Sequence, residues 1–227
     1  MSEVAHVDDG RKPRRLPGWQ RPGDSTMNDP ELVALEEEAE RVKDLPGYML
    51  EVGVYHARTT VLLAQVGKVV AADWMGGNSE LAPKEVRTSS TDRTSSGWDP
   101  KDQFSYIIDN LRRYPGVYRN VVLIMAPSDE ALPLLSGPFK LVLLDADKSE
   151  ESVLADIARV WPKITPGGTL FMDDWLGSTV DEKEPGTVKR AWDRFALASG
   201  ISELTVDLFG YQPGSTVPKL ARIRKPV

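Results

Sequence analysis

The fold of this 227-residue chain is decided by one stretch, Tyr48-Met49-Leu50-Glu51-Val52-Gly53-Val54-Tyr55-His56-Ala57-Arg58-Thr59-Thr60. The apolar run over residues 48–54 is typical of a buried strand, and residues 58–66 have the apolar spacing of a helix. Gly53 lies between them, where a glycine permits a tight turn and the close approach of a ligand. The stretch therefore predicts the strand–turn–helix unit of an α/β protein.

The alternation of strands and helices continues along the chain. Further strands are predicted at residues 68–74, 120–126, 140–145, 169–173, 203–209 and 219–224, and helices at residues 29–44, 58–66, 101–114, 129–135, 150–163 and 187–198. Buried strands separated by helices form a parallel sheet covered on both faces. The last two strands are joined by a short connection and should pair antiparallel. We expect a doubly wound, mostly parallel seven-stranded sheet with helices on both faces and an antiparallel last strand.

The chain divides into a tail and one domain. Residues 1–28 are basic and rich in Pro and Gly, which predicts a disordered or extended tail, with a surface-docking arm as the alternative. Residues 29–227 are predicted to form a single domain that opens with a helix. Residues 75–100 are polar and lack periodicity, so they are predicted to form a long loop, and such loops are often functional.

The composition excludes several kinds of chemistry. The chain has no Cys and only two His, which removes disulfide scaffolds, thiolate metal sites and cysteine nucleophiles. Its net charge of −6 argues against a protein that wraps nucleic acid. No apolar run is long enough to span a membrane, and the first 30 residues contain no apolar signal segment. We expect a cytoplasmic protein whose chemistry uses carboxylates, lysine, hydroxyls and backbone groups, without membrane or nucleic-acid partners.

Ligands bind such sheets at the carboxyl ends of the strands, so the residues that follow each strand are candidates. The turn at Gly53 leads into a helix whose free N–H groups suit an anionic group, and Thr59 could add a hydroxyl. Asp73, about 20 residues past the turn, is placed to accept hydrogen bonds from ribose hydroxyls. Trp74 could cover a purine, and Ser128 could cap its helix or contact adenine. The glycine pattern of dinucleotide dehydrogenases is missing.

Three carboxylates follow the fourth and fifth predicted strands. Asp145 ends one strand, and Asp173 and Asp174 end the next, so neighbouring strands would bring all three together. They repel one another unless a cation neutralises them, and oxygen ligands suit Mg²⁺. Lys148 lies just beyond. A lysine near a bound divalent cation has a lowered pKa and can act as a base, or Lys148 simply pairs with the acids.

At these residues the chain resembles class I S-adenosylmethionine-dependent methyltransferases, and among them the metal-dependent O-methyltransferases. Residues 50–59 are similar to the first motif, acid-x-Gly-x-x-x-Gly-x-Ser/Thr, with Ala57 in place of the second glycine. Asp145-Ala146-Asp147-Lys148 is similar to a segment of the caffeoyl-CoA and catechol O-methyltransferases. Asp173-Asp174 resembles the acid pair of the macrocin-type sugar O-methyltransferases. The resemblance covers about residues 48–210.

The resemblance implies roles for individual residues. The cofactor would be S-adenosylmethionine, lined by Glu51, Gly53, Tyr55, Thr59, Asp73 and Ser128, to which we add the neighbouring Trp74, Asp129 and Asp145. Mg²⁺ or another divalent cation would be held by Asp145, Asp173 and Asp174, with Lys148 as the catalytic base.

The function expected from this resemblance is metal-assisted methylation of a hydroxyl on a small molecule, such as a catechol or a sugar diol. Two alternatives stay open. The chain could be a methyltransferase without a metal, in which the acids serve only the structure. It could also be a non-catalytic module that binds the cofactor, since Ala57 departs from the motif. A homo-oligomer is also left open.

Overall fold

A computed structural model describes residues 1–6, 10–14, 27–74, 100–177, 186–201, 204–211 and 218–227. Its strands are β1 (Ser2–Ala5), β2 (Tyr48–Val52), β3 (Val69–Asp73), β4 (Val121–Met125), β5 (Phe139–Leu144), β6 (Ile164–Met172), β7 (Thr205–Tyr211) and β8 (Pro218–Arg224). Its α-helices are α1 (Asp29–Val42), α2 (Arg58–Ala64), α3 (Pro100–Arg113), α4 (Ser128–Leu134), α5 (Glu150–Val160) and α6 (Thr187–Ala198). Short 3₁₀ helices occupy Val117–Asn120 and Trp161–Lys163.

The strands form one mixed sheet in the order β1-β7-β8-β6-β5-β2-β3-β4. All neighbouring pairs are parallel except those of β8, which runs antiparallel to both β6 and β7. The predicted fold, mostly parallel with an antiparallel last strand, is therefore confirmed. The chain moves outward from β2 to β3 and β4, then returns to β5 on the other side of β2. The order reverses between β2 and β5, which is where such sheets bind ligands.

The sheet contains one strand more than the predicted seven. Strand β1 pairs parallel with the outer edge of β7, from Ser2 opposite Thr205 to Ala5 opposite Leu208. It comes from residues 1–28, which were predicted to be a disordered or extended tail. All four residues of β1 are exposed, so no apolar alternation marks the strand in the sequence. Backbone pairing at an open sheet edge supplies the contact that the side chains do not.

Side-chain contacts beside β1 hold the N-terminal residues against the sheet. The ring of His6 stacks on Phe209 with centroids 4.5 Å apart, and His6 Nε2 lies 3.0 Å from Asp207 Oδ1. Burial raises the pKa of Asp207, but hydrogen bonds from His6 and Arg222 outweigh it and hold this pKa below its usual value. The predicted polar loop lies outside the described residues over 75–99, and its last residue, Pro100, begins α3.

Helix α1 packs across the sheet and is held there by one buried carboxylate. Glu38 is 1% exposed and accepts hydrogen bonds from Arg224, Arg41, Thr169 and Arg222. Burial raises the pKa of Glu38, but these bonds outweigh it and lower the pKa to about 2. The first turn of α1 is closed by a capping box between Asn28 and Glu31. The contacts of Glu38 with Thr169, Arg222 and Arg224 therefore hold α1 against β6 and β8.

An apolar layer buries each face of the sheet. One layer includes Leu35, Leu62 and Ile107, and the other includes Val142, Ile157 and Trp192. Both faces are therefore covered, as expected for a doubly wound sheet. Among the helices of the described residues, none is both long enough and apolar enough to cross a membrane.

Candidate functional site

The turn after β2 brings two strand ends into contact. Gly53 has a φ of +92°, in the left-handed region that favours glycine. A Cβ atom on Gly53 would lie 2.1 Å from the backbone oxygen of Asp145, which follows β5. The absence of a side chain therefore allows the turn and the end of β5 to touch. This contact lies at the point where the strand order reverses.

Asp73 fastens this turn from the neighbouring strand. Its Oδ2 atom accepts hydrogen bonds from the backbone N–H groups of Val54 (2.7 Å) and Tyr55 (3.0 Å). Gln103 of α3 donates from Nε2 to the same Oδ2 at 3.4 Å and to the Tyr55 carbonyl at 3.3 Å. The structure thus places Asp73 directly at the Gly53 turn, where its carboxylate holds the turn amides. The predicted contact with a ribose stays a prediction.

Strained backbone shapes the rest of the turn. Tyr55 and Ala57 adopt positive φ values of 49° and 65°, which are uncommon for residues with a side chain. The rings of Tyr55 and His56 stack with centroids 3.9 Å apart, and Asn110 donates to the His56 carbonyl at 2.8 Å. The left-handed conformation at Ala57 explains why the related motif has glycine at this position.

Glu51 and Thr59 lie beneath the turn and bind each other. The fully buried Glu51 carboxylate accepts one hydrogen bond from the Thr59 hydroxyl and another from the Thr60 hydroxyl, the latter 2.5 Å long. Burial raises the pKa of Glu51 to about 7, although both hydroxyls lower it. The two predicted cofactor residues therefore tie the end of β2 to the first turn of α2.

We predict that Glu51→Gln removes a pH-dependent loss of stability. The carboxyl pKa rises from 4.5 to about 7 on folding, so folding favours the protonated form. This contribution is complete below pH 4.5 and is lost as the pH rises to about 7. The wild type should therefore lose up to about 3 kcal/mol relative to Glu51→Gln over that range. Urea unfolding at several pH values measures the difference.

Glu130→Gln is the matched control for this experiment, because Glu130 is an exposed carboxyl in the first turn of α4. Its stability should follow that of the wild type at every pH. A parallel pH dependence in the wild type and Glu51→Gln would show that folding does not raise the pKa of Glu51, contrary to the prediction.

The three predicted metal ligands come together at the ends of β5 and β6. Asp145, Asp173 and Asp174 each offer one carboxylate oxygen within 4.8 Å of the others. Asp173 is 1% exposed, and its Oδ1 atom is buried without a hydrogen-bond partner among the residues that the structure describes. Asp174 is also buried and has a φ of 55°. An orphaned buried oxygen within an all-oxygen donor set fits a hard divalent cation such as Mg²⁺.

Lys148 forms ion pairs with this cluster. Its Nζ atom donates to Asp145 Oδ1 at 2.8 Å and lies 3.6 Å from Asp174 Oδ2. Burial lowers the pKa of Lys148, but the charges of Asp145, Asp173 and Asp174 outweigh it and raise the pKa above its usual value. Burial and the charge of Asp173 raise the pKa of Asp145 well above its usual value. The pairing that the sequence left open as an alternative is thus present.

Two residues of the cluster were missed by sequence reasoning. Lys219, at the start of β8, places Nζ 3.1 Å from Asp173 Oδ2 and 3.8 Å from Asp174 Oδ1. Glu31 of α1 is fully buried, and burial raises its pKa to about 8, with Lys219 lowering it and Asp173 raising it. In the sequence, Glu31 has the position of a capping-box residue and Lys219 that of an ordinary strand end. Neither position carries a signal of a site.

The remaining predicted cofactor residues lie apart from the cluster. Trp74 follows β3, and its buried indole N–H has no acceptor within the described ranges. The Ser128 hydroxyl hydrogen-bonds Asp156 of α5, whose pKa burial raises to about 6. Ser128 is the first residue of α4 rather than its cap, because Pro127 holds the capping position and makes no side-chain cap bond. Asp129 is exposed.

Comparisons with known proteins agree with this architecture. The model of a family described as a methyltransferase domain matches residues 50–175, more than half of the chain. The O-methyltransferase NovP superposes with a TM-score of 0.68 at 17% identity, covering 92% of this chain and 85% of NovP. TomG of Streptomyces achromogenes, an O-methyltransferase of tomaymycin synthesis solved with SAM, gives 0.62 at 16% identity, covering 90% and 83% of the two chains.

A third solved structure with this fold has a different kind of acceptor in its name. An rRNA methylase from Streptococcus thermophilus gives a TM-score of 0.59 at 15% identity, covering 88% of this chain and 99% of the methylase. A comparison with curated proteins gives no match. At these identities, the solved structures establish the fold that is shared and not the acceptor.

Proposed function

Because this chain belongs to the methyltransferase domain family, we propose that it transfers a methyl group from S-adenosylmethionine to a hydroxyl oxygen of a small molecule, with help from a divalent cation. One observation carries the proposal. The Gly53 turn touches the backbone of Asp145, the first residue of the three-aspartate cluster, so the turn proposed for the cofactor and the aspartates proposed for the cation are neighbours. A methyl donor on one side would face an acceptor held on the other.

The chemistry divides between bound groups and the residues of this chain. When bound, the cofactor supplies an electrophilic methyl group and the divalent cation lowers the pKa of the acceptor hydroxyl. Asp145, Asp173 and Asp174 would hold the cation. Lys148, whose Nζ lies 2.8 Å from Asp145, would take the hydroxyl proton at Nζ once the carboxylates are shared with the cation. The turn from Gly53 to Thr59 would orient the donor for in-line attack.

The acceptor is expected to carry neighbouring oxygens, as a catechol or a sugar diol does. Two adjacent oxygens would suit a cation that Asp145, Asp173 and Asp174 would hold, because such a cation prefers oxygen ligands. The O-methyltransferase names of NovP and TomG favour a small hydroxyl acceptor. The rRNA methylase is a counterexample within the same fold. The net charge of −6 makes a nucleic acid the less favoured acceptor.

A metal-independent methyltransferase is the second candidate, and a specific observation supports it. Lys148 and Lys219 already lie within 4 Å of the aspartates as ammonium partners. In that case, the acids would serve to hold the two lysines. The two candidates differ in what a chelator does.

The test is a screen of catechols, phenols and glycosides with labelled cofactor. Each acceptor is assayed once in about 5 mM Mg²⁺ and once in about 5 mM EDTA. We expect transfer to at least one vicinal diol or catechol, and a loss of about 100-fold or more in EDTA that Mg²⁺ restores. Equal rates in both conditions would favour the metal-independent candidate. Absence of S-adenosylmethionine binding by calorimetry at millimolar ligand would contradict both candidates.

A further inference from the structure

Lys219 is a buried cation inside the acidic cluster. Its side chain is 7% exposed and approaches Asp173 and Asp174 at 3.1 and 3.8 Å. Two carboxylates this close favour the charged form of a lysine, so Lys219 serves as an ammonium partner of the aspartates. Glu31 of α1 also interacts electrostatically with Lys219.

Neither Lys219 nor Glu31 belongs to the part of the chain that matches the family model. That match covers residues 50–175, which include Asp145, Asp173 and Asp174. Glu31 comes from α1 and Lys219 from β8, on either side of the matched region. Gly210 of β7 lets Glu31 come this close, because a Cβ atom there would lie 2.1 Å from Glu31 Oε1. Helix α1 and strands β7 and β8 thus add a second layer of residues, Glu31 and Lys219, next to the three aspartates.

We propose that Lys219 serves as the resident cation of the three-aspartate cluster. Its ammonium group keeps the cluster folded without a metal and opposes the binding of a divalent cation there. The inference deepens the proposed function by naming the residue that regulates its metal site.

The physical reason is the cost of leaving a buried charge without a partner. The Asp173 carboxylate accepts one hydrogen bond, from Lys219 Nζ to Oδ2, while Oδ1 has no partner within the described part of the chain. Removing one member of a buried ion pair is strongly destabilising, because the remaining charge stays out of water. Without Lys219, the cluster needs another cation, and a divalent ion would enter without repulsion from the Lys219 ammonium.

The experiment measures the thermal midpoint of the cofactor-free full chain in EDTA and in Mn²⁺. In EDTA, we expect the thermal midpoint of Lys219→Met to lie below that of the wild type. Adding about 1 mM Mn²⁺ should raise the midpoint of Lys219→Met by about 5 °C more than it raises that of the wild type. Mn²⁺ binding followed by electron paramagnetic resonance should be at least about tenfold tighter than in the wild type. Lys219→Arg keeps the charge and should resemble the wild type in its metal response.

Lys140→Met is the matched control. Lys140 is also buried, but its Nζ atom donates to the Lys43 carbonyl at 2.7 Å and lies at the opposite end of β5 from Asp145. The thermal midpoint of Lys140→Met should fall by the same amount in EDTA and in Mn²⁺, because Lys140 has a structural role only. If Lys219→Met is too unstable to purify in EDTA, Lys219→Gln replaces it in the same comparison.

The outcomes separate this inference from the proposed function. Equal metal responses in Lys219→Met and the wild type, or Mn²⁺ binding that is unchanged or weaker, would overturn the role of Lys219. A metal response in Lys219→Met together with activity that is indifferent to EDTA in the wild type would support the role of Lys219. That same pair of results would refute the metal step of the proposed function.

Discussion

Replacing Lys148 by methionine is expected to lower the turnover number by about 10³-fold or more while changing the affinity for S-adenosylmethionine less than about threefold. Methionine preserves the length of the side chain but cannot accept a proton. Lys148 contacts Asp145 and Asp174 through Nζ, and no hydrogen bond or ion pair joins its side chain to the Gly53 turn in the part of the chain that the structure describes. Turnover on the best acceptor and calorimetric titration of the cofactor are the two measurements.

Lys148→Arg separates the two roles that the structure allows. Arginine can keep the ion pairs with Asp145 and Asp174, but its guanidinium does not give up a proton in proteins. If Lys148 is the base, the arginine variant should be nearly as inactive as the methionine variant. Substantial activity in Lys148→Arg would mean that the charge matters and the proton transfer does not. Loss of cofactor affinity in either variant would contradict the role assigned to Lys148.

The acidic cluster was predictable from the sequence because strand register is simple in a parallel sheet. Leu144 of β5 lies opposite Met172 of β6, so the residues that follow each strand must be neighbours. Once the apolar runs locate the strands, the aspartates at their ends are placed side by side without further information. The same logic links Asp73 at the end of β3 to the turn after β2.

The second layer of the site was not predictable, because it depends on packing between distant segments. Glu31 reaches the cluster only because α1 lies across the sheet, where three partners of Glu38 from β6 and β8 hold it. Lys219 reaches it because β8 runs antiparallel, which brings the start of that strand to the carboxyl edge. A capping-box glutamate and a lysine at a strand end are common at positions with no function, so the residue types alone were uninformative.

The positive φ of the Gly53 turn could be predicted from the sequence, but its contact with the Asp145 carbonyl could not. A single glycine after a buried strand indicates a turn with positive φ. The contact with the Asp145 carbonyl arises only when β2 and β5 pair, across about 90 residues of sequence. Ala57 also adopts a left-handed conformation, and it stands where the similar motif has its second glycine, so the alanine conceals a conformation that the motif favours.

Replacing Gly53 by alanine is expected to cost about 4 kcal/mol or more of the free energy of unfolding, an unusually large effect for one methyl group. Alanine at a φ of +92° is strained, and its Cβ atom would also lie 2.1 Å from the Asp145 oxygen and 2.5 Å from the Asp145 carbonyl carbon. Both contacts are with backbone at the end of a paired strand, so neither can move without disturbing the sheet. Urea unfolding measures the loss, and any folded fraction should bind S-adenosylmethionine at least about tenfold more weakly.

Gly116→Ala separates the backbone strain from the steric contact. Gly116 precedes the 3₁₀ helix Val117–Asn120 with a φ of +83°, and a Cβ atom there would meet nothing within 4 Å. This variant should lose only about 1 kcal/mol, which is the cost of the left-handed conformation alone. The excess loss in Gly53→Ala then measures the contact between the turn and Asp145. Similar losses in the two variants would mean that the turn and the end of β5 can separate, and that the shared boundary of the proposed site is looser than the structure indicates.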